Sequence, residues 1–428
     1  MNYFYKNILD KNLNSLKLLM ITLFIFFFDI KFKIFSILID LRLFSLFLFL
    51  IMLYEIRSLK KINFFFCFLF ILLLFHYFLN TLINKIPINF YSIFKIISAF
   101  LISSSIYYYK EFILKNFNII INLFLIIFFL ILTVSNIINF FYGSFAINCF
   151  YGCFSVNRFL YLENSHLAYF SSLIIFYYIH NFSNKENIKY FPFFLFFLIS
   201  LIKNQSTTLL VSNILITVFF FIFFSKKFDK LKVISFLCIF VVSTIFIFNS
   251  FHKQKIEDFS EIIFPQNNDF SQNKDFSENK DQENLTFILS RLNTSHVKNL
   301  SSDVYFFNFK IALNSLVDRP FGWGLFNYQS AHQKYSKITK SYLEGSSWLN
   351  SDDGTNILFK SIVELGFFSL ILWVPFLFFL FNRKIDFHYK LLIAPPVITQ
   401  VLIRGSGFFN GGFVVFIILY FYLLLKKN

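Results

Sequence analysis

The sequence predicts an all-α, polytopic membrane protein with about 12 transmembrane helices and one large outer loop between the ninth and tenth spans. Three observations predict it. Of the 428 residues, 57% are hydrophobic and 14% charged, with a mean hydropathy of +0.65, against roughly 45–50% apolar and 25% charged in soluble domains. Apolar runs near span length, about 20 residues at 1.5 Å each, recur along the chain. One long hydrophilic segment, residues 251–355, interrupts them.

The runs lie at 13–30, 34–54, 62–79, 91–109, 117–138, 163–180, 190–202, 207–224, 232–250, 356–381, 390–403 and 412–425. Helices are the expected form because lipid offers no partner to a free backbone N–H or C=O. The second run carries Asp40 and Arg42, read as an i,i+2 pair near its outer end, and the seventh is short. The first run follows a Lys-containing amphipathic start and reads as a span, not as a cleaved signal. The 73 Phe residues substitute for Leu on lipid-facing positions and carry no functional weight individually.

A formal charge of +16 suits nucleic acid only if the basic residues form one patch. They fall instead in short clusters between runs, as topology signals do. With the N-terminus inside, the inner segments hold Lys6, Lys11, Lys17, Arg57, Lys60, Lys61, Lys110, Lys115, Lys185, Lys189, Lys226, Lys227, Lys230, Arg383, Lys384, Lys426 and Lys427, which is 17. The short outer segments hold 6, namely Lys31, Lys33, Lys85, Arg158, Lys203 and Arg404. Both termini are therefore expected to be cytoplasmic, and nucleic acid is not an expected partner.

The chain then divides into 1–250 with spans one to nine, an outer loop 251–355, and 356–428 with the last three spans. Within the loop, Asp258-Phe-Ser-Glu, Asp269-Phe-Ser-Gln and Asp275-Phe-Ser-Glu repeat one polar theme. Such a tract buries too little to offset its ordering entropy, so 257–284 reads as a low-complexity, disordered insertion. After Ser301-Ser302-Asp303, Phe306, Phe309, Leu313 and Leu316 recur at helical spacing up to Arg319-Pro320. This predicts an amphipathic helix over 303–318, on the membrane surface or against the bundle. It would hold Gly322-Trp323-Gly324 at the outer interface, the glycines allowing a tight turn and Trp323 suiting the headgroup level.

Four outer segments place ionisable groups beside apolar spans. Arg158, Glu163 and His166 lie within nine positions; Lys203 ends the seventh run; Arg291 and Arg319 sit in the long loop; and Arg404 sits in a Gly-rich break between spans. Irregular backbone at membrane depth is tolerated only where it is buried in protein or lines a cavity. Each basic residue alone suits an interfacial snorkeller. As a set on the less basic side, they suit an anionic ligand such as a diphosphate, which guanidinium forks bind in bidentate fashion. Glu364, inside the tenth run, reads equally as a buried structural carboxylate or a site group. Cys149 and Cys153 form a CxxxC pair that suits a disulfide or, more simply, two thiols on one helical face. No CxxC or HExxH occurs, so no metal site is readable.

Five motifs in order carry a resemblance: Glu163-Asn-Ser-His-Leu-Ala-Tyr-Phe170, Lys203-Asn-Gln-Ser-Thr-Thr-Leu-Leu210, Arg319-Pro-Phe-Gly-Trp-Gly-Leu-Phe-Asn-Tyr328, Asp353-Gly-Thr-Asn-Ile-Leu-Phe-Lys-Ser-Ile-Val-Glu-Leu-Gly366 and Arg404-Gly-Ser-Gly-Phe-Phe-Asn-Gly-Gly412. Over roughly residues 140 to 415 the chain resembles the O-antigen polymerase and O-antigen ligase superfamily; the first five spans match only in hydropathy. The resemblance implies a metal-independent glycosyltransferase of the bacterial inner membrane, without cofactor, whose donor is a glycan on undecaprenyl diphosphate at the periplasmic face. A chain-length regulator and a flippase are its candidate protein partners. The ligases typically carry His-Asn at the start of the fourth motif and a Gly at its end. Here Asn356 and Gly366 keep that spacing, and Thr355 stands where the His would be.

That departure favours a polysaccharide polymerase joining lipid-linked repeat units over a ligase acting on lipid A core. Arg404, Arg291, Arg158 and Lys203 are candidates for the diphosphate. Asp353, Glu163 and His166 are candidates to accept a proton from the acceptor hydroxyl, and Gly322, Trp323, Gly324 and Asn356 are expected to shape the loop. A transporter, such as a lipid-linked oligosaccharide flippase, is the reading from another class. Transporters commonly show two similar halves, and this chain shows none. The charge bias sets a test: reporter fusions after residue 230 and after residue 385 should report cytoplasm, and one near residue 280 the periplasm. A periplasmic signal at 385 refutes the twelve-span arrangement.

Overall fold

The computed structural model describes residues 2–27, 31–34, 37–40, 43–55, 64–84, 90–142, 148–149, 152–153, 168–181, 188–203, 207–224, 300–339, 350–405, 407–408 and 412–426. The expected ninth span and the 257–284 insertion lie outside these residues. Apolar runs become helices: α1 Asn2–Phe27, α2 Leu43–Glu55, α3 Phe64–Asn84, α4 Phe90–Tyr108, the short α5 Lys110–Lys115, α6 Phe117–Tyr142, α7 Ala168–His180, α8 Phe191–Lys203 and α9 Thr207–Phe224. The C-terminal part adds α10 Leu300–Asp318, α11 Tyr328–Tyr335, α12 Ile357–Leu365, α13 Leu370–Phe381, α14 Phe387–Ile398 and α15 Phe413–Leu425.

The regular elements among the described residues are helices apart from two antiparallel hairpins, β1 Lys31–Ile34 with β2 Ile37–Asp40, and β3 Asn148–Cys149 with β4 Gly152–Cys153. The first corrects the expected second span. Lys-Phe-Lys-Ile alternates polar and apolar with the period of a strand, and Lys31 pairs with Asp40 in register, so the helix starts only at Leu43. The second hairpin replaces the helical face proposed for the two cysteines: its register sets Cys149 opposite Gly152 and Cys153 opposite Asn148.

Among the described residues, Phe117–Val134 and Ile357–Phe381 are helical stretches long and apolar enough to cross a membrane, accompanied by shorter apolar helices. Many helices present large apolar side chains outward, among them Phe75 and Leu82 of α3 and Leu377 and Phe378 of α13. A soluble monomer rarely tolerates apolar exposure on this scale. Inside, phenylalanines do the packing. Phe26, Phe124, Phe170 and Phe197 join α1, α6, α7 and α8, with ring centroids 4.4 Å apart for Phe26 and Phe124 and 5.8 Å for Phe124 and Phe197.

Polar contacts gather on two faces of the bundle. On one, Lys17 pairs with Glu55 at 2.8 Å, Tyr109 donates to Glu55 at 3.0 Å, and Tyr422 donates to Glu111 at 2.7 Å. The other face collects the C-terminal half of α3, the start of α12 and the loop after α10.

There the expected tenth span stands as one apolar stretch, Ile357–Phe381, with a change of helix type inside it. α12 stops at Leu365, a 3-10 turn covers Gly366–Ser369, and α13 resumes. The cause is a backbone clasp. Trp323 N donates to Val363 O (2.9 Å), Gly324 N to Glu364 O (2.9 Å) and Phe367 N to Pro320 O (2.8 Å). Two carbonyls that a helix end leaves without partners are thus satisfied by the 320–324 loop. The approach is close enough to demand glycine on both sides: a Cβ on Gly322 would lie 2.3 Å from Glu364 O, and one on Gly366 would lie 1.9 Å from Pro320 O.

α10 begins at Leu300 rather than at Asp303. Val304, Phe307, Ile311, Ala312 and Ser315 face the protein, whereas Phe306, Phe309, Leu313 and Val317 are exposed. Of the stripe read from the sequence, Phe306, Phe309 and Leu313 point outward and Leu316 is half-buried, while a second row of small and apolar residues makes the internal contact. Trp323 is buried beneath the Arg319 guanidinium, whose carbon lies 3.6 Å from the ring centroid, and against Tyr335 at 5.9 Å, so it packs into a core.

The clasp makes a stability prediction. Gly366→Ala, at φ +58 and facing backbone, should cost roughly 2 kcal/mol or more through strain and collision. Gly407→Ala meets nothing within 4 Å and should cost only its backbone strain. Thermal midpoints in detergent check this, and equal losses in the two variants would refute the clasp.

Candidate functional site

α12 opens on Asn356, whose Oδ1 accepts from Phe359 N at 2.8 Å and so caps the helix. The preceding residues fold back on the break before α15. Thr355 O accepts from Gly405 N (3.0 Å), and Asn356 Nδ2 donates to Leu402 O at 3.4 Å. Tyr305 of α10 donates to the same Leu402 O at 2.9 Å. Leu402 belongs to a π-helical turn, Thr399–Ile403, that ends α14. Such turns widen a helix by one residue and free carbonyls for other partners.

This turn delivers Arg404 to the site. Arg404 is 7% exposed, and its Nη1 lies 3.7 Å from Asp353 Oδ1. That distance is longer than the 2.7–2.9 Å of a tight charge-assisted bond, so the pair is loose. Asp353 Oδ1 also accepts Thr355 N at 3.0 Å. A second buried pair lies beside it: Lys360 Nζ is 3.0 Å from Glu364 Oε1 and donates to Asp352 O at 2.6 Å. Glu364 thus has a cationic partner, in keeping with a structural carboxylate.

A third layer was not read from the sequence. Tyr328 donates to Asn308 Oδ1 (2.7 Å), and Asn308 Nδ2 donates to Val304 O (2.8 Å) and to Thr355 Oγ1 (3.0 Å). Asn350 Nδ2 approaches the same hydroxyl at 3.3 Å. From the first half of the chain, His76 Nε2 lies 3.2 Å from Phe321 O, and Asn80 Nδ2 donates to His76 O at 3.0 Å. A signal for the second group exists: His76 and Asn80 are one helical turn apart inside an otherwise apolar run, where polar residues usually have a partner to meet.

Backbone strain collects at the same place. Among the described residues, the non-glycine positions with positive φ are Phe326 (63°), Asn350 (58°) and Thr355 (72°). All three lie in the loops that converge here. Asn tolerates this conformation, whereas a β-branched Thr does so at a cost of order 1–3 kcal/mol.

Of the residues singled out in the sequence, the fold brings together Asp353, Arg404 and Asn356, and joins them to Gly322, Trp323 and Gly324 through α12. Lys203 ends α8, while Arg158, Glu163, His166 and Arg291 lie outside the described residues. Among the described residues no group of three His, Cys, Asp or Glu side chains is placed to hold a metal.

Residues 191–374 match the family model described as O-antigen ligase. This match supports the O-antigen ligase and polymerase superfamily. Its members are membrane glycosyltransferase-like enzymes, and the domain suggests membrane lipopolysaccharide biosynthesis. No curated protein and no solved structure matches the chain. The matched segment contains the clasp, Thr355 and Asp353. Arg404 lies beyond it in sequence and joins it through the fold.

The electrostatics of the loop give a pH prediction. His332, on α11, packs between Phe307 and Tyr328, with centroids 5.8 and 6.2 Å away. Burial holds its imidazole below the ordinary histidine value, with Asp352 opposing weakly. The folded protein then refuses a proton that the unfolded chain accepts, so stability falls as pH drops through the ordinary histidine range. His332→Phe should flatten the fall in thermal midpoint between about pH 7.5 and pH 5. Equal slopes in wild type and variant would remove His332 as a cause.

Proposed function

We propose that this protein is a polysaccharide polymerase of the bacterial inner membrane, joining undecaprenyl-diphosphate-linked repeat units at the periplasmic face, with both termini cytoplasmic. The observation that carries the reading is the loose, buried Arg404–Asp353 pair at a helix break beside the O-antigen ligase domain. In the reaction, an acceptor sugar hydroxyl attacks the anomeric carbon of the donor. The anomeric C–O bond breaks with its electrons going to the diphosphate, whose growing charge Arg404 neutralises. The hydroxyl proton passes to the Asp353 carboxylate. Arg291, Arg158 and Lys203 are proposed as further diphosphate contacts, and Glu163 and His166 as further proton acceptors. The lipid-linked glycan, the bilayer, a chain-length regulator and a flippase are the proposed partners.

The description of the matched family favours a second reading, a ligase transferring finished glycan to lipid A core. Thr355 in the position of the ligase His supports the polymerase. Cells lacking the protein should accumulate single repeat units; full-length polymer retained on undecaprenyl diphosphate would instead identify a ligase. Within the site, Arg404→Ala should abolish detectable polymer, a loss of about 2–4 kcal/mol or roughly 30- to 1,000-fold in rate. Arg404→Lys should leave a small residue of activity, because an ammonium lacks the planar fork. Wild-type polymer from either variant, at normal membrane levels, would return Arg404 to a membrane anchor.

A further inference from the structure

We propose that the Thr355 hydroxyl is a catalytic hydrogen-bond donor, giving its proton's hydrogen bond to an anionic diphosphate oxygen of the lipid-linked donor substrate. The inference rests on the glycosyltransferase reading above and adds a group to it. Its first support is the direction of the hydrogen bonds. Asn308 Nδ2 is fixed as the donor side of its amide by Val304 O, which can only accept, while its Oδ1 accepts from Tyr328. The chain therefore runs one way, from the Tyr328 hydroxyl through the Asn308 amide to Thr355 Oγ1. Asn350 donates to the same oxygen. With both lone pairs of Oγ1 accepting, the valence left is its O–H, and no acceptor for it stands among the described residues. Successive bonds of one direction polarise one another, so this O–H is a stronger donor than an isolated threonine.

The second support is independent. Thr355 is β-branched yet held at φ 72°, a conformation that persists only where the surroundings impose it. The surroundings here impose it at both ends of the residue: its N–H is bound by Asp353 Oδ1 and its carbonyl by Gly405 N. Those two tethers set the hydroxyl in the same short loop pair as the Arg404 guanidinium. A neutral donor beside a cation is the chemistry that receives an anionic oxygen. A general base is excluded at this position, since a hydroxyl whose lone pairs are both engaged takes no proton.

Purified protein assayed with undecaprenyl-diphosphate-linked repeat units, extracted from cells that lack it, tests the assignment. Thr355→Ser should keep kcat within about threefold, while Thr355→Val and Thr355→Gly should each lower kcat on the order of 100-fold with KM little changed. Thr355→Gly should also keep a thermal midpoint close to wild type, since it relieves the φ strain. A wild-type kcat in Thr355→Gly, or a Ser variant as slow as Val, overturns the proposal while leaving the glycosyltransferase reading standing. A midpoint that falls in step with activity overturns it too, because the hydroxyl is then structural. Wild-type protein inert on this substrate overturns the function reading and this donor with it.

Discussion

Three backbone hydrogen bonds between residues 320–324 and 363–367 are the constraint on which this end of the protein depends. They end α12 at Leu365, set a 3-10 step inside the Ile357–Phe381 span, and hang the loop after α10 on the carbonyls released at that step. Lost main-chain partners at a helix terminus cost free energy unless something replaces them. Here the replacement comes from a loop whose own turns need glycine, so helix break and loop conformation stabilise each other. Arg319 over Trp323, and Asp318 bound by Lys334 and Tyr335, then close α10 and α11 onto the same core. The two hydrogen bonds to Asp318, from Lys334 and then from Tyr335, hold its carboxyl below the usual range.

Around the clasp lie buried polar groups drawn from several elements. The capped start of α12, the π turn after α14 and the end of α3 each supply a buried polar group, and none of the three elements is contiguous with another in the chain. The cost is visible as positive φ at Phe326, Asn350 and Thr355. Strain of this kind is kept where surrounding contacts over-determine it, and the contacts here are the Thr355 tethers to Asp353 and Gly405.

α10 shows how a membrane setting changes what amphipathic means. One row of its residues packs on α11 and α12 through Phe307, Ile311 and Ala312, while the opposite row, Phe306, Phe309, Leu313 and Val317, stays exposed. A helix apolar on both sides would be a fault at a water-facing surface. An exposed apolar row of this kind suits contact with lipid.

The sequence by itself determined where helices run, because hydropathy and helical period are local properties: α9 occupies 207–224, as its apolar run does. It also marked the polar exceptions, Arg404 and the Asp353 motif, since a charge among apolar residues is conspicuous without any partner. It misread the second span, where Lys31 and Asp40 pair across a hairpin, because hydropathy averages over a window in which strand alternation is lost. Only the tertiary structure decided which exceptions meet. Arg404 reaches Asp353 across 51 positions, His76 meets Phe321 across 245, and Asn308 aims at Thr355 from a helix whose visible stripe mostly faced the other way. Pairings over such separations depend on how helices cross and rotate, which is fixed by side-chain packing in three dimensions and leaves no periodic trace in the chain.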